Sequence, residues 1–126
     1  MQVQLVDLVK DFGQTVAVDH VNLTIKDGAL TGLLGPSGCG KSTTLYMISG
    51  LEQPTSGKIL FDGEDVTEVP AEERGIGLVF QNYALYPHMT VQQNIMFPLV
   101  NAKVKKEEAL ARCIEMAKLV KVDDLL

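Results

Sequence analysis

Cysteine is scarce: Cys39 and Cys113 are the two thiols among 126 residues. Two thiols cannot by themselves hold a metal cluster, and this pair does not read as a disulfide framework. A reducing compartment is the default that follows. No run of 18 apolar residues occurs, which excludes a membrane-spanning helix. The opening Met1-Gln2-Val3-Gln4 is not a signal peptide. Basic residues are outnumbered 11 to 16, giving a net charge of −5 and a pI near 4.9. That balance argues against a nucleic-acid partner held by bulk charge. Eleven glycines and five prolines are an ordinary share, so collagen-like and low-complexity classes are excluded. What is present, 46% hydrophobic and 21% charged residues, suits one soluble, cytosolic globular domain.

No internal repeat or flexible linker is visible. Val3 and Leu5 alternate with polar neighbours, and Val21, Leu23 and Ile25 do so more clearly, the period of half-buried strands. Asp27-Gly28 is a turn signal. Residues 29–34 form a short, mostly apolar run, which predicts a strand covered on both faces, as in a mostly parallel sheet. Residues 41–49 read as a helix with Leu45 and Ile48 on one side and Gly50 as its stop. Lys58-Ile59-Leu60-Phe61 before Asp62-Gly63 reads as a strand entering a tight turn, and residues 76–80 as another apolar strand. The pattern becomes helical from Val91. Over residues 105–120 it places Leu110, Ile114 and Ala117 on one face. The layout predicts an α/β domain whose last helices have little sheet to cover.

Gly35-Pro36-Ser37-Gly38-Cys39-Gly40-Lys41-Ser42 fits the pattern Gly-x4-Gly-Lys-Ser/Thr between a predicted strand and helix. Glycines let the backbone curl closely around phosphate oxygens, and successive N–H groups form an anion nest. The following helix turns its unpaired N–H groups and positive dipole end toward the same oxygens. Lys41 adds a full charge near the β- and γ-phosphates. Ser42 offers a hydroxyl to Mg²⁺, and Thr43 is placed for a further phosphate contact. Ser37, Gly38, Cys39 and Gly40 complete the cradle. By itself the motif specifies a nucleotide and no reaction.

The cradle with Thr43-Thr44-Leu45, then Ile48-Ser49-Gly50-Leu51-Glu52 and Thr55-Ser56-Gly57, closely resembles the ATPase subunits of ABC transporters. Arg74-Gly75-Ile76-Gly77-Leu78-Val79-Phe80-Gln81 and Tyr83-Ala84-Leu85-Tyr86-Pro87-His88-Met89-Thr90-Val91 look like the importer group for maltose, other oligosaccharides and glycerol-3-phosphate. The resemblance runs along essentially the whole chain. It implies the amino-terminal half of the P-loop ABC ATPase fold, with ATP and Mg²⁺ as cofactors. Residues 1–88 would be the nucleotide-binding core with an antiparallel β subdomain, and residues 89–126 the start of a helical subdomain.

The resemblance also assigns roles. Phe12 matches the aromatic that stacks on adenine, and Val18 a contact beside it. Gln81 matches the glutamine that contacts Mg²⁺ and links the nucleotide site to the transport channel. Lys41 and Gln81 are thus the catalytic candidates, and Ser42 and Gln81 the metal ligands. Read without the family, Phe12 is a core aromatic and Gln81 an anonymous surface amide. The loop 83–88 would dock on a cytoplasmic helix of a membrane permease subunit, with a second ATPase subunit completing a homodimer at the inner face of the membrane. The alternative is that its large side chains fold back as core.

Other features read as plain structure. Ile59-Leu60-Phe61-Asp62 imitates a strand ending in a metal-binding Asp, but Gly63 follows and the reading is a hairpin turn. His20 and His88 follow no metal-binding strand. Cys39 is a small filler and Cys113 a core residue. Lys105-Lys106-Glu107-Glu108 and Ala71-Glu72-Glu73-Arg74 are solvated faces. The family's metal-binding Asp with its adjacent Glu, its signature motif and its switch His do not occur in these 126 residues. The expectation is an importer ATPase portion that binds ATP without hydrolysing it and that self-associates through the Ile114 stripe or an open strand edge. Two other readings stay open: a non-transport ABC ATPase fragment, and an assembly fragment with a vestigial site.

Overall fold

The computed structural model describes residues 1–35 and 40–126. They form two compact units, Met1–Leu78 and Val79–Leu126.

The first unit is built on an antiparallel sheet. Its described strands are β1 (Val3–Asp11), β2 (Val16–Ile25), β3 (Ser56–Phe61) and β4 (Glu64–Asp65), in the order β2-β1-β3-β4. Helix α1 (Lys41–Ser49) packs on it. Leu5, Leu8, Val18, Ile59 and Phe61 from the sheet, Met47 from α1 and Val66 form the core. Leu5 and Leu8 are both buried although three residues apart, a spacing that an ideal strand of period two cannot give. A register shift between them supplies the odd residue, with Asp7 at φ +46°. Asn22 on β2 fills this bulge: its Oδ1 accepts the Asp7 N–H at 3.0 Å and its Nδ2 donates to Asp7 Oδ1 at 2.9 Å. On the other flank a Cβ at Gly57 would lie 2.3 Å from the Asp7 carbonyl oxygen.

The expected strands over 29–34 and 76–80 are not formed. Leu30 and Leu34 are fully exposed. A buried parallel strand is held by ladders to neighbours on either side. Among the described residues the ladders that exist are antiparallel and belong to β1–β4. Local apolarity alone does not supply a ladder.

The segment 71–74 also departs from the expectation of a solvated face. Ala71–Glu73 is a short 3-10 turn, and Arg74 after it is 5% exposed. Its guanidinium donates to the carbonyls of Met47 (2.8 Å), Ile48 (3.0 Å), Thr67 (3.0 Å) and Val69 (2.8 Å). Two of these acceptors belong to the last turn of α1, where carbonyls lack helical partners and the dipole end is negative. Burial lowers the Arg74 pKa from its ordinary value, yet the group keeps its charge, because an arginine is not deprotonated in a protein. Gly50 closes the same turn at φ +90°, its N–H bonded to the Met47 carbonyl.

The second unit is a helical hairpin, α2 (Val91–Asn101) and α3 (Lys106–Leu119), followed by a 3-10 turn over Asp123–Leu125. A capping box starts α2: the Thr90 hydroxyl accepts the Gln93 N–H and the Gln93 side chain accepts the Thr90 N–H. Met96, Ala109 and Cys113 form the hairpin's core. The stripe of α3 that is buried is Ala109, Cys113 and Ala117, whereas Ile114 is 37% exposed. Helix α1 repeats the offset, with Thr44 and Met47 inward and Leu45 exposed.

Two outcomes test this account. Arg74→Ala should cost the first unit about 3 kcal/mol or more, since it leaves buried carbonyls without donors. Arg74→Lys should recover only part, because one ammonium cannot span the four acceptors. Urea unfolding followed by circular dichroism would read both, and a variant within about 0.5 kcal/mol of wild type, the range of a surface substitution, would remove the clamp. The second concerns Asp65, whose carboxylate accepts from the Thr67 hydroxyl at 2.6 Å and the Thr67 N–H at 2.9 Å. The hydroxyl first and the N–H second hold its pKa below the usual carboxylate value. The stabilisation is therefore complete above the unfolded-state pKa of about 4 and is lost as pH falls through the lower folded value. Thr67→Val should move the Asp65 titration, followed by carboxyl-carbon NMR, up toward the ordinary value.

Candidate nucleotide site

The site begins with how α1 starts. Gly40 is its N-cap at φ +88°, a left-handed conformation that glycine adopts without strain. A Cβ there would stand 2.2 Å from the Ala17 carbonyl oxygen of β2, so the helix start lies directly against the strand. No side chain caps the first turn and no acidic residue occupies it. Its amide donors and dipole thus meet no built-in negative group of that turn. Lys41, half-buried, extends its ammonium to the Gly35 carbonyl oxygen, the first residue of the glycine motif. Thr44 holds its hydroxyl on the Gly40 carbonyl at 2.7 Å. Beside this helix start is a cavity of about 440 Å³ whose lining includes Ala17, Val18, Leu33, Gly40, Lys41 and Thr44.

The first unit therefore brings Val18, Gly40 and Lys41 together at one cavity. Val18 is 4% exposed, so it serves the core as well as the cavity wall. Ser42 is exposed and Thr43 half-buried in the first turn of α1. Ser37, Gly38 and Cys39 lie outside the described residues. Phe12 stands in the β1–β2 turn, 53% exposed, which departs from the core aromatic that its type alone suggests. Its N–H donates to the Thr15 carbonyl at 2.9 Å, and Asp11 Oδ1 accepts the Gly13 N–H at 2.7 Å. Among the described residues no group of three metal-ligating side chains assembles.

In the second unit Gln81 is exposed at the start of a turn. The loop after it is exposed rather than folded back, with Tyr83 at 75%. Asn94 of α2 holds that loop's end. Its Oδ1 accepts the Tyr86 N–H at 3.0 Å, and its Nδ2 donates to the carbonyls of Tyr86 (3.2 Å), Met89 (3.3 Å) and Thr90 (2.9 Å). The Tyr86 ring lies tilted on Phe97 at 4.9 Å and edge-on to His88 at 6.0 Å. Asn94 was invisible to sequence reasoning, because an amide in a polar helical stretch carries no spacing signal. Lys10 was also missed, though its place two residues before Phe12 puts both on one side of an extended chain.

A family profile described as ABC transporter matches residues 18–125. The chain belongs to the ABC transporter family. This ABC domain is 54% identical over 110 residues to a putative ABC transporter ATP-binding protein, MG187, of Mycoplasma genitalium, covering 87% of this chain and 19% of that protein. It is 51% identical over 114 residues to the Fe(3+) ions import ATP-binding protein FbpC of Brucella abortus, covering 90% and 32%. It is 44% identical over 122 residues to the spermidine/putrescine import ATP-binding protein PotA of Pasteurella multocida, covering 97% and 33%. The chain thus spans between a fifth and a third of the length of these relatives. A solved ATP-binding cassette, MJ0796, described as dimeric in a post-hydrolysis state with ADP and Pi, superposes with a TM-score of 0.82 at 32% identity. It covers 94% of this chain and 57% of that one. The α/β assignment therefore holds as the amino-terminal part of the ABC ATPase fold, antiparallel sheet included.

Asn94→Ala should free the loop without unfolding α2. The Tyr86 amide loses its acceptor, so its hydrogen exchange should accelerate about tenfold, the equivalent of one neutral hydrogen bond. Amides in the middle of α3 should keep their protection, and an unchanged Tyr86 rate would show that Asn94 does not hold the loop.

Proposed function

We propose that this chain is the nucleotide-gripping portion of an ABC importer ATPase. The observation that carries the reading is the start of α1: Gly40 lies against β2, no acid or side-chain cap occupies the first turn, and Lys41 stands half-buried beside it. This arrangement suits the polyphosphate of ATP. Lys41 and the first-turn amides would bind the phosphate oxygens, with Ser37, Gly38, Cys39, Gly40 and Thr43 completing the cradle. Ser42 would hold Mg²⁺, which when bound neutralises phosphate charge; for Gln81 the same role rests on the family resemblance alone. Phe12 and Val18 would take the adenine. Residues 1–88 then act as the nucleotide core and its contact loop, and residues 89–126 open the helical subdomain.

The exposed loop 83–88 supports docking on a permease subunit, which would put the protein at the cytoplasmic face of a membrane. No helix among the described residues is long and apolar enough to cross one. The dimeric description of the solved cassette supports a second ATPase subunit as partner. The transported solute belongs to the membrane and binding subunits. The motif over 83–91 favours a sugar or glycerol-3-phosphate, while the relatives named above are described as importers of ferric ion and polyamines.

Isothermal titration calorimetry with Mg·ATP tests the reading. Wild type should bind, and Lys41→Ala should lose tenfold or more in affinity, roughly 1.5–3 kcal/mol for a charge-assisted contact. Equal affinities would overturn it. Residues 1–126 contain no Asp-Glu pair at a strand end and no signature motif, so the same sample should release no phosphate. Steady turnover abolished by Lys41→Ala would show that catalysis lies elsewhere in the chain.

A further inference from the structure

Lys10 is used by neither the cradle nor the core. It occupies the end of β1, and its side chain is only 15% exposed. The ammonium makes three contacts at once. It sits over the Phe12 ring, 5.2 Å from the centroid. It donates to the Gln53 carbonyl at 2.8 Å and pairs with Glu52 Oε1 at 2.8 Å. Glu52 and Gln53 belong to the segment that leaves α1, whose N–H groups at 51 and 52 return to the Tyr46 carbonyl. The next residues are also fixed to β1: the Thr55 N–H donates to the Val9 carbonyl at 2.8 Å, and the Thr55 hydroxyl accepts the Asp11 N–H at 2.9 Å. One cation therefore joins the exit of the cradle helix to an exposed aromatic in a turn.

We infer that Lys10 is a positioning residue for base recognition: its cation, anchored by Glu52 and Gln53, holds the Phe12 ring so that its open face receives an adenine. This rests on the reading of Phe12 proposed above. Phe12 is more than half exposed and is not a member of the core cluster, so a partner must hold its ring if it is to be ready for stacking. A cation over an aromatic face supplies such a restraint, and a ring already held loses less freedom when a base stacks on it. The charge of Lys10 is matched by Glu52 at 2.8 Å, so the pair presents little net charge to a polyphosphate. The contribution should consequently be specific to the base and silent toward phosphate.

The test compares two ligands, Mg·ATP and magnesium tripolyphosphate, which share the phosphates and differ in the nucleoside. Lys10→Met should weaken ATP binding about three- to tenfold and leave tripolyphosphate within twofold. Lys10→Arg, which keeps the cation, should restore ATP affinity to within twofold of wild type. In a Phe12→Ala background Lys10→Met should have no further effect on ATP. Circular dichroism melting accompanies each variant, and Lys10→Gln substitutes if Lys10→Met does not fold. Equal losses for both ligands would reduce Lys10 to a structural tie and overturn the inference, as would an unchanged ATP affinity. If wild type binds tripolyphosphate and ATP equally well, Phe12 takes no base and the inference falls while the cradle stands. If wild type binds neither, the nucleotide reading itself fails.

Discussion

A single guanidinium decides where α1 can end. Arg74 reaches two carbonyls of its last turn and two of the loop around residues 67–69. The donors form a rigid planar fork, so satisfying all four acceptors fixes the helix in both position and rotation. The other end of α1 is fixed by contact, with Gly40 against the Ala17 carbonyl of β2. A nine-residue helix is too short to be stable alone. Held at both ends, it presents Lys41 and the first-turn amides in one place. The site's chemistry thus depends on an interaction at the far end of the helix that touches no ligand.

The two ends of α1 were legible in the sequence for a physical reason. Close approach of backbone to β2 at Gly40 and a left-handed stop at Gly50 each demand glycine, and glycine is visible as a letter. The strands β1 and β2 and the three helices were legible by period. Arg74 was not, because its partners are carbonyls, which every residue has. Beside Glu72 and Glu73 it looked like one charge of a solvated cluster. Residues 29–34 and 76–80 have the apolarity of buried strands, but a ladder is a long-range fact that no local run contains.

The buried faces of α1 and α3 are offset in the same way from the apolar residues that the period picks out. The period groups Leu45 with Ile48, and Leu110 with Ile114 and Ala117, the latter as a stripe for self-association. The buried positions are one residue earlier, at Thr44 and at Ala109 with Cys113. Small side chains let one backbone come close to the next, and Thr44 meets its hydrogen bond within its own helix. Size is a guide to burial only where there is room. Ile114 is accordingly open to solvent, not sealed in the hairpin.

The bonds of Asn94 have a mechanical meaning. One amide ties the Tyr86, Met89 and Thr90 backbone to α2, and the Thr90–Gln93 capping box closes the same corner. Between Tyr86 and the helix there is no compliant joint. A displacement imposed at the loop would pass into α2 as a tilt of the whole rod, with little lost to bending on the way. The corner works as a stiff handle on the helix, and its stiffness comes from one side chain whose bonds all lie within its own unit.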